Sequence, residues 1–194
     1  ETLLAQGADV NAEAKDGWTA LIGAAFGGHA GAAKIVLEKG AKVDAKASGS
    51  RTALMRAASE GHADVVDILL EHGADVRAGD DERRTALIDA AFSGHAGIVK
   101  VLLAKGARVN AKLKDGLTAL MSAAAAGHTD AVQVLLDHRV SVNAQAENGA
   151  TALMAAAVNG HGDIVRILLD NKAAVGVKGT GDQTALMMAA SNGH

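Results

Sequence analysis

Six of the eight histidines stand in one recurring phrase, a Gly-His pair at His29, His62, His95, His128, His161 and His194, each 33 residues after the last. Histidine is the side chain best suited to acid–base chemistry near neutral pH, and it is a common zinc ligand. The regular spacing argues against both roles. Equivalent residues on successive packed helical units lie roughly 10 Å apart, whereas zinc needs its donors about 2 Å from a single point. Each imidazole is therefore expected to bond to backbone groups and tie one unit to the next. His29, His62, His95, His128 and His161 are read as structural inter-repeat residues, and no metal site is expected. His72 and His138 fall at helix ends and are expected to be solvated.

The other groups with chemical potential are Ser48, Ser50, Asp80, Asp81 and Glu82, all in turns. Carboxylates must converge in a sheltered site to acquire the shifted pKa values that catalysis uses. Turn tips are exposed, so these residues are read as ordinary solvated turn. The glycine-rich stretch "KGTGDQ" around Gly179 lacks the following Lys-Ser/Thr of a phosphate loop. No catalytic residue and no cofactor is expected.

Composition narrows the class further. The chain has 194 residues, 49% hydrophobic but only 2% aromatic. Its apolar mass therefore comes from Ala, Leu, Val, Ile and Met, whose small volumes suit close, regular stacking. Net charge is −3 with the two signs mixed along the chain. Nucleic acid is not the expected partner, because phosphate backbones select a concentrated basic face. There is no cysteine, which excludes disulfides and thiolate metal sites. No apolar run approaches the ~18 residues of a membrane span, and no signal-peptide pattern opens the chain. No membrane insertion is expected, and a cytoplasmic location is the default.

The elements that position these residues follow from the same period. Thr-Ala-Leu begins at Thr19, Thr52, Thr85, Thr118, Thr151 and Thr184, again at steps of 33 with no insertion or deletion. Threonine is a good N-cap, so each phrase is predicted to open a short helix, as in Thr118 to Ala126. The glycine before each histidine ends that helix in a left-handed conformation. A second helix follows, as from Thr129 to His138, with Val132, Leu135 and Leu136 on one face. Asp64, Asp130 and Asp163 in its first turn, and Lys39, His72, Lys105 and His138 in its last, complement the helix dipole. Gly40, Gly73 and Gly106 then stop it, and a polar tip of eight to ten residues, carrying signals such as Asp115-Gly116 and Asn148-Gly149, forms a hairpin-like turn.

The phrase "GHADVVDILLEHGADV" at residues 61–76 resembles the ankyrin repeat closely, and the resemblance runs the length of the chain. It implies an all-α fold with short β-hairpin-like tips, an α-solenoid of stacked helix-turn-helix units. The expected division is a single array over 1–194, with units 14–46, 47–79, 80–112, 113–145 and 146–178, and partial units at 1–13 and 179–194. Two departures stand out. The family's proline after threonine is alanine throughout, and its histidine after leucine is Ile22, Met55, Ile88, Met121, Met154 and Met187, which makes the inner layer more apolar. Arg139 and Lys172 replace the glycine after the second helix, and those two junctions are expected to be weaker. The half-units at the ends suggest a section of a longer array. By the same resemblance, Asn11, Asn110 and Asn143 match a position that is hydroxylated in some ankyrin repeats.

Function is sought in the positions that change while their neighbours hold. The residue before threonine reads Trp18, Arg51, Arg84, Leu117, Ala150, Gln183, and the fourth after it reads Gly23, Arg56, Asp89, Ser122, Ala155, Met188. In ankyrin repeats the matching positions line a concave face that contacts partners. Trp and Arg dominate binding hot spots, so Trp18, Phe26, Arg51, Arg56, Arg84, Asp89, Phe92 and Leu117 are the candidate protein-binding residues. The alternative for the two phenylalanines is padding between units, and for the arginines simple solvation. The leading reading is a non-enzymatic protein–protein interaction module, monomeric or part of a longer chain. Its rivals are the recognition array of a multidomain enzyme or effector whose catalytic domain lies elsewhere, and an engineered or purely structural scaffold. The irregular Arg139 and Lys172 argue against the last.

Overall fold

The computed structural model describes residues 2–194. A short α1 (Thr2–Ala5) precedes five helix pairs and a final single helix. The first helices are α2 (Ala20–Phe26), α4 (Ala53–Glu60), α6 (Ala86–Phe92), α8 (Ala119–Ala126), α10 (Ala152–Val158) and α12 (Ala185–Ser191). The second helices are α3 (Ala30–Glu38), α5 (Ala63–Glu71), α7 (Ala96–Ala104), α9 (Thr129–Asp137) and α11 (Gly162–Asp170). Each first helix packs on the next first helix and on its own second helix, and the second helices pack on one another. The result is a two-layer, all-α solenoid. Among the described residues no strand forms. Three tips are closed at the base by single antiparallel bridges, Ala47 to Arg51, Gly79 to Thr85 and Lys112 to Thr118, so hairpin-like is the right description and hairpin would be too much.

Local chemistry explains the regularity. The hydroxyls of Thr19, Thr52, Thr85, Thr118, Thr151 and Thr184 each accept a bond of 3.3–3.4 Å from the N–H three residues on. All but the last of these threonines are buried, so water cannot replace the cap. The donor residue is the apolar replacement for the family histidine. Ile22, Met55, Ile88, Met121 and Met154 are fully buried, while Met187 in the last helix is exposed. The core runs unbroken between the layers and is built from the Leu of each Thr-Ala-Leu phrase, alanines of the first helices and one face of each second helix. In α9 that face is Ala131, Val132 and Leu135. Leu136 is only half-buried, one step off the expected stripe.

The basic residues expected in the last turn stand one position later, as C-caps. There His72 and His138 place Nδ1 at 2.8 and 2.7 Å from the carbonyls of Ile68 and Val134, and the Ile68 carbonyl also accepts from His72 N. Neighbouring tips are laced by backbone bonds. The N–H groups of Ser48, Asp81, Lys114, Glu147 and Thr180 donate to the carbonyls of Asp16, Gly49, Glu82, Asp115 and Asn148. Beyond the second helices, Asn11 accepts from Lys42 N (2.8 Å) and donates to Gly40 O (3.1 Å). Asn143 repeats both bonds with Ala174 and Lys172, and Asn110 accepts from Ser141 N. These asparagine side chains are thus committed to joining successive turns of the solenoid.

Arg139 and Lys172 adopt the left-handed backbone that glycine takes elsewhere, at φ 57° and 67°. A side chain held there costs roughly 1–2 kcal/mol, and glycine returns part of that as extra unfolded-state entropy. Arg139→Gly and Lys172→Gly are each expected to raise stability by about 0.5–1 kcal/mol in urea titrations. Amide exchange over 137–178 should be faster than over 61–106, and equal protection in the two stretches would show that neither junction is weak.

Candidate protein-binding site

His29, His62, His95, His128 and His161 each sit directly before a second helix, with no side-chain cap bond to it. Three of the rings reach backward instead. Nε2 of His62, His95 and His161 lies 3.0, 3.1 and 3.1 Å from the carbonyls of Phe26, Ser59 and Ala125, 36 residues earlier. The rings also lie against the glycine of the preceding phrase. A Cβ added to Gly61 would come within 2.5 Å of His95, and one added to Gly94 within 2.5 Å of His128. His161 packs on Gly127 in the same way. His29 is placed differently: its ring lies over Gly27 of its own phrase. No group of three His, Asp, Glu or Cys side chains that could hold a metal occurs among the described residues.

The variable positions at the tips and first helices gather into a strip running from the start of α2 to the end of α6. Trp18 is half-buried. Its ring meets Phe26 edge-on at 5.6 Å and 74°, and the Arg56 guanidinium lies 5.6 Å from its centroid. Such cation–π contacts contribute about 0.5–2 kcal/mol depending on desolvation. The two phenylalanines do not pad the core, for Phe26 is 45% and Phe92 55% exposed. The first-helix layer is filled by alanine pairs, which leave no room for rings between them. Leu117 is half-buried at the following tip.

The charged residues of the strip interlock. Arg51 donates to Asp89 Oδ2 at 2.7 Å and to Asp80 Oδ2 at 3.3 Å. Arg84 approaches the other Asp89 oxygen at 3.6 Å. Asp80 also accepts from the N–H groups of Glu82 and Arg84 at 2.9 and 2.8 Å. Two expectations need correcting here. Asp80 is not a solvated turn residue, its side chain being 8% exposed. Asp89 is not a surface group of a drifting position, because it is 4% exposed and clamps two arginines. The arginines are correspondingly fixed rather than freely solvated. Asp81 and Glu82 do remain exposed, and Glu82 pairs only with exposed Lys114, a contact of little energetic weight. Burial pushes the Asp89 carboxyl up to about 6, against the pull of Arg51 and Arg84. Burial and the nearby Arg51 charge draw the Arg56 pKa down.

The fold and strip define a repeat solenoid that exposes variable side chains on an invariant frame. Three overlapping stretches, 1–80, 47–113 and 109–179, match the family model described as ankyrin repeats. They span most of the chain, and the chain belongs to the ankyrin repeat family. Comparison with curated proteins gives no match.

Asp89 makes stability depend on pH. Its folded pKa lies above the usual carboxylate value of about 4, so the folded state holds a proton that the unfolded chain has released between pH ~4 and ~6. The stabilisation from this group is therefore full below about pH 4 and is lost as pH rises through about 6. Asp89→Asn should remove this component. Relative to that variant, the wild-type protein should gain on the order of 2 kcal/mol between pH 7 and pH 4.5 in urea titrations. Parallel curves for the two proteins would mean that the carboxyl titrates normally.

Proposed function

We propose that the chain is a non-enzymatic protein–protein interaction module that takes a protein partner on a concave face built from the first helices and turn tips. Ankyrin repeats are generally interaction modules, and the family membership carries that coarser statement. The finer assignment rests on one observation. The side chains that vary at fixed register form two contacting groups on neighbouring first helices and tips, Trp18–Phe26–Arg56 and Arg51–Asp89–Arg84, with exposed Phe92 at the end of α6. In this reading Trp18, Phe26, Arg56 and Phe92 touch the partner, with Leu117 at the margin. Asp89 and Asp80 hold Arg51 and Arg84 in place before it arrives. Pre-ordered arginines and a stiff frame lower the entropy cost of association. The equivalent positions after Leu117 are mainly small, such as Ala150 and Ala155, so the partner docks on the N-terminal half.

Affinity capture with the intact chain would supply the partner, and variants would test the face. Trp18→Ala and Phe92→Ala are expected to weaken binding tenfold or more, as hot-spot truncations of about 2 kcal/mol do. Arg84→Ala should weaken it less. All three should leave thermal melting within a few degrees of the parent. Unchanged affinity in all three would exclude this strip as the contact surface.

A further inference from the structure

We propose a second, separate binding site: a cationic cleft between the tip that precedes α6 and the segment that follows α7, which takes a compact anion carrying two or more phosphate groups. The cleft is a cavity of about 280 Å³ with Arg77, Arg83, Arg108 and Lys112 on its walls. One acid, Asp80, lines it, and the bonds from Arg51, Glu82 N and Arg84 N already occupy its carboxylate. None of the four cations enters an ion pair among the described residues. Arg77 Nε donates to Gly106 O at 3.0 Å and Lys112 Nζ to Gln145 O at 3.0 Å. Those bonds fix the side chains at the rim without cancelling their charge.

Internal comparison shows that the complete set of four cations occurs at one junction. Moving the four positions back by 33 residues gives Asp44, Ser50, Asp75 and Gly79, and moving them forward gives Asn110, Gly116, Ser141 and Gln145. Neither set contains a cation. Two repeats back the last two positions carry Lys42 and Lys46, and two repeats on the last carries Lys178, but no other junction assembles all four cations. Arg83 is left-handed at φ 61°, as are its counterparts Ser50 and Asp182, while Gly17, Gly116 and Gly149 fill the same position in the other repeats.

The chemistry selects the ligand class. Three guanidiniums present planar forks that match phosphate oxygens, and an ammonium adds a point charge. Four converging cations suit an anion with three or four negative charges, which one carboxylate cannot provide. A polynucleotide needs a longer basic track than a single cleft offers. A soluble phosphorylated metabolite and a multiply phosphorylated lipid headgroup share this chemistry.

Titration of the full chain with inorganic pyrophosphate, followed by calorimetry and amide NMR, tests the site. Pyrophosphate should bind saturably, about tenfold or more tighter than sulfate at equal ionic strength, with shifts centred on Arg83 and Arg108. Arg83→Gly should weaken it about tenfold while leaving or raising the melting temperature, since glycine suits that backbone. Arg108→Gln should weaken it similarly, and Lys100→Gln, on the exposed face of α7, should not. Vesicles with and without a phosphatidylinositol bisphosphate separate the sources. Recruitment lost in Arg83→Gly identifies a headgroup site, and pyrophosphate binding without recruitment identifies a soluble ligand. No saturable binding, or equal weakening by Lys100→Gln, would overturn the proposal.

Discussion

The solenoid depends on close contact between a bare glycine and the imidazole of the next phrase. A Cβ at Gly28, Gly61, Gly94, Gly127 or Gly160 would stand 2.5–2.7 Å from the ring of His62, His95, His128, His161 or His194, inside any tolerable van der Waals separation. That approach sets the spacing of the first-helix layer, and the layer must then be filled by small side chains. Ala57, Ala58, Ala90, Ala91, Ala123 and Ala124 are fully buried at successive junctions for this reason. The scarcity of rings is a consequence of that spacing.

Around this contact the junctions are closed at two further levels. Backbone bonds join successive tips, and Asn11, Asn110 and Asn143 join successive loops beyond the second helices. Where the column departs from asparagine the bonding is partial. Asp44 accepts from Asp75 N but cannot donate onward, and Arg77 donates to Gly106 O. In this asparagine column the charged departures, Asp44 and Arg77, follow α3 and α5. The Arg51–Asp89–Arg84 cluster and the cationic cleft lie beside them, between the tip before α4 and the segment after α7.

That coincidence has a physical basis. Frame positions are constrained by burial or by backbone geometry, so polar novelty is tolerated only at tips and on the open side of the first helices. A buried carboxylate such as Asp89 is sustainable because two guanidiniums stand beside it, and an unpaired one would be strongly destabilising. The pairing holds Arg51 and Arg84 and leaves Arg56 against the Trp18 ring as the cation of the strip without a carboxylate partner. The C-terminal half has no comparable polar feature on its first helices.

Much of this architecture was legible in the letters. A period of 33 with threonine, leucine and glycine in fixed register dictated the helix starts, their ends and the apolar stripes, because capping and backbone conformation act over three or four residues. The left-handed Arg139 and Lys172 were readable for the same reason. The candidate strip was legible as a set of variable positions, but not its wiring. Arg51 and Asp89 are 38 residues apart, and only the rotation and rise between stacked helices bring a residue before one threonine to the residue four places after the next. The same stacking decided that Phe26 and Phe92 face outward, that Asp80 is buried, and that Arg77, Arg83, Arg108 and Lys112 meet in one cleft. Short-range chemistry is written in neighbouring residues, whereas burial and ion pairing depend on distances that exist only once the layers have packed.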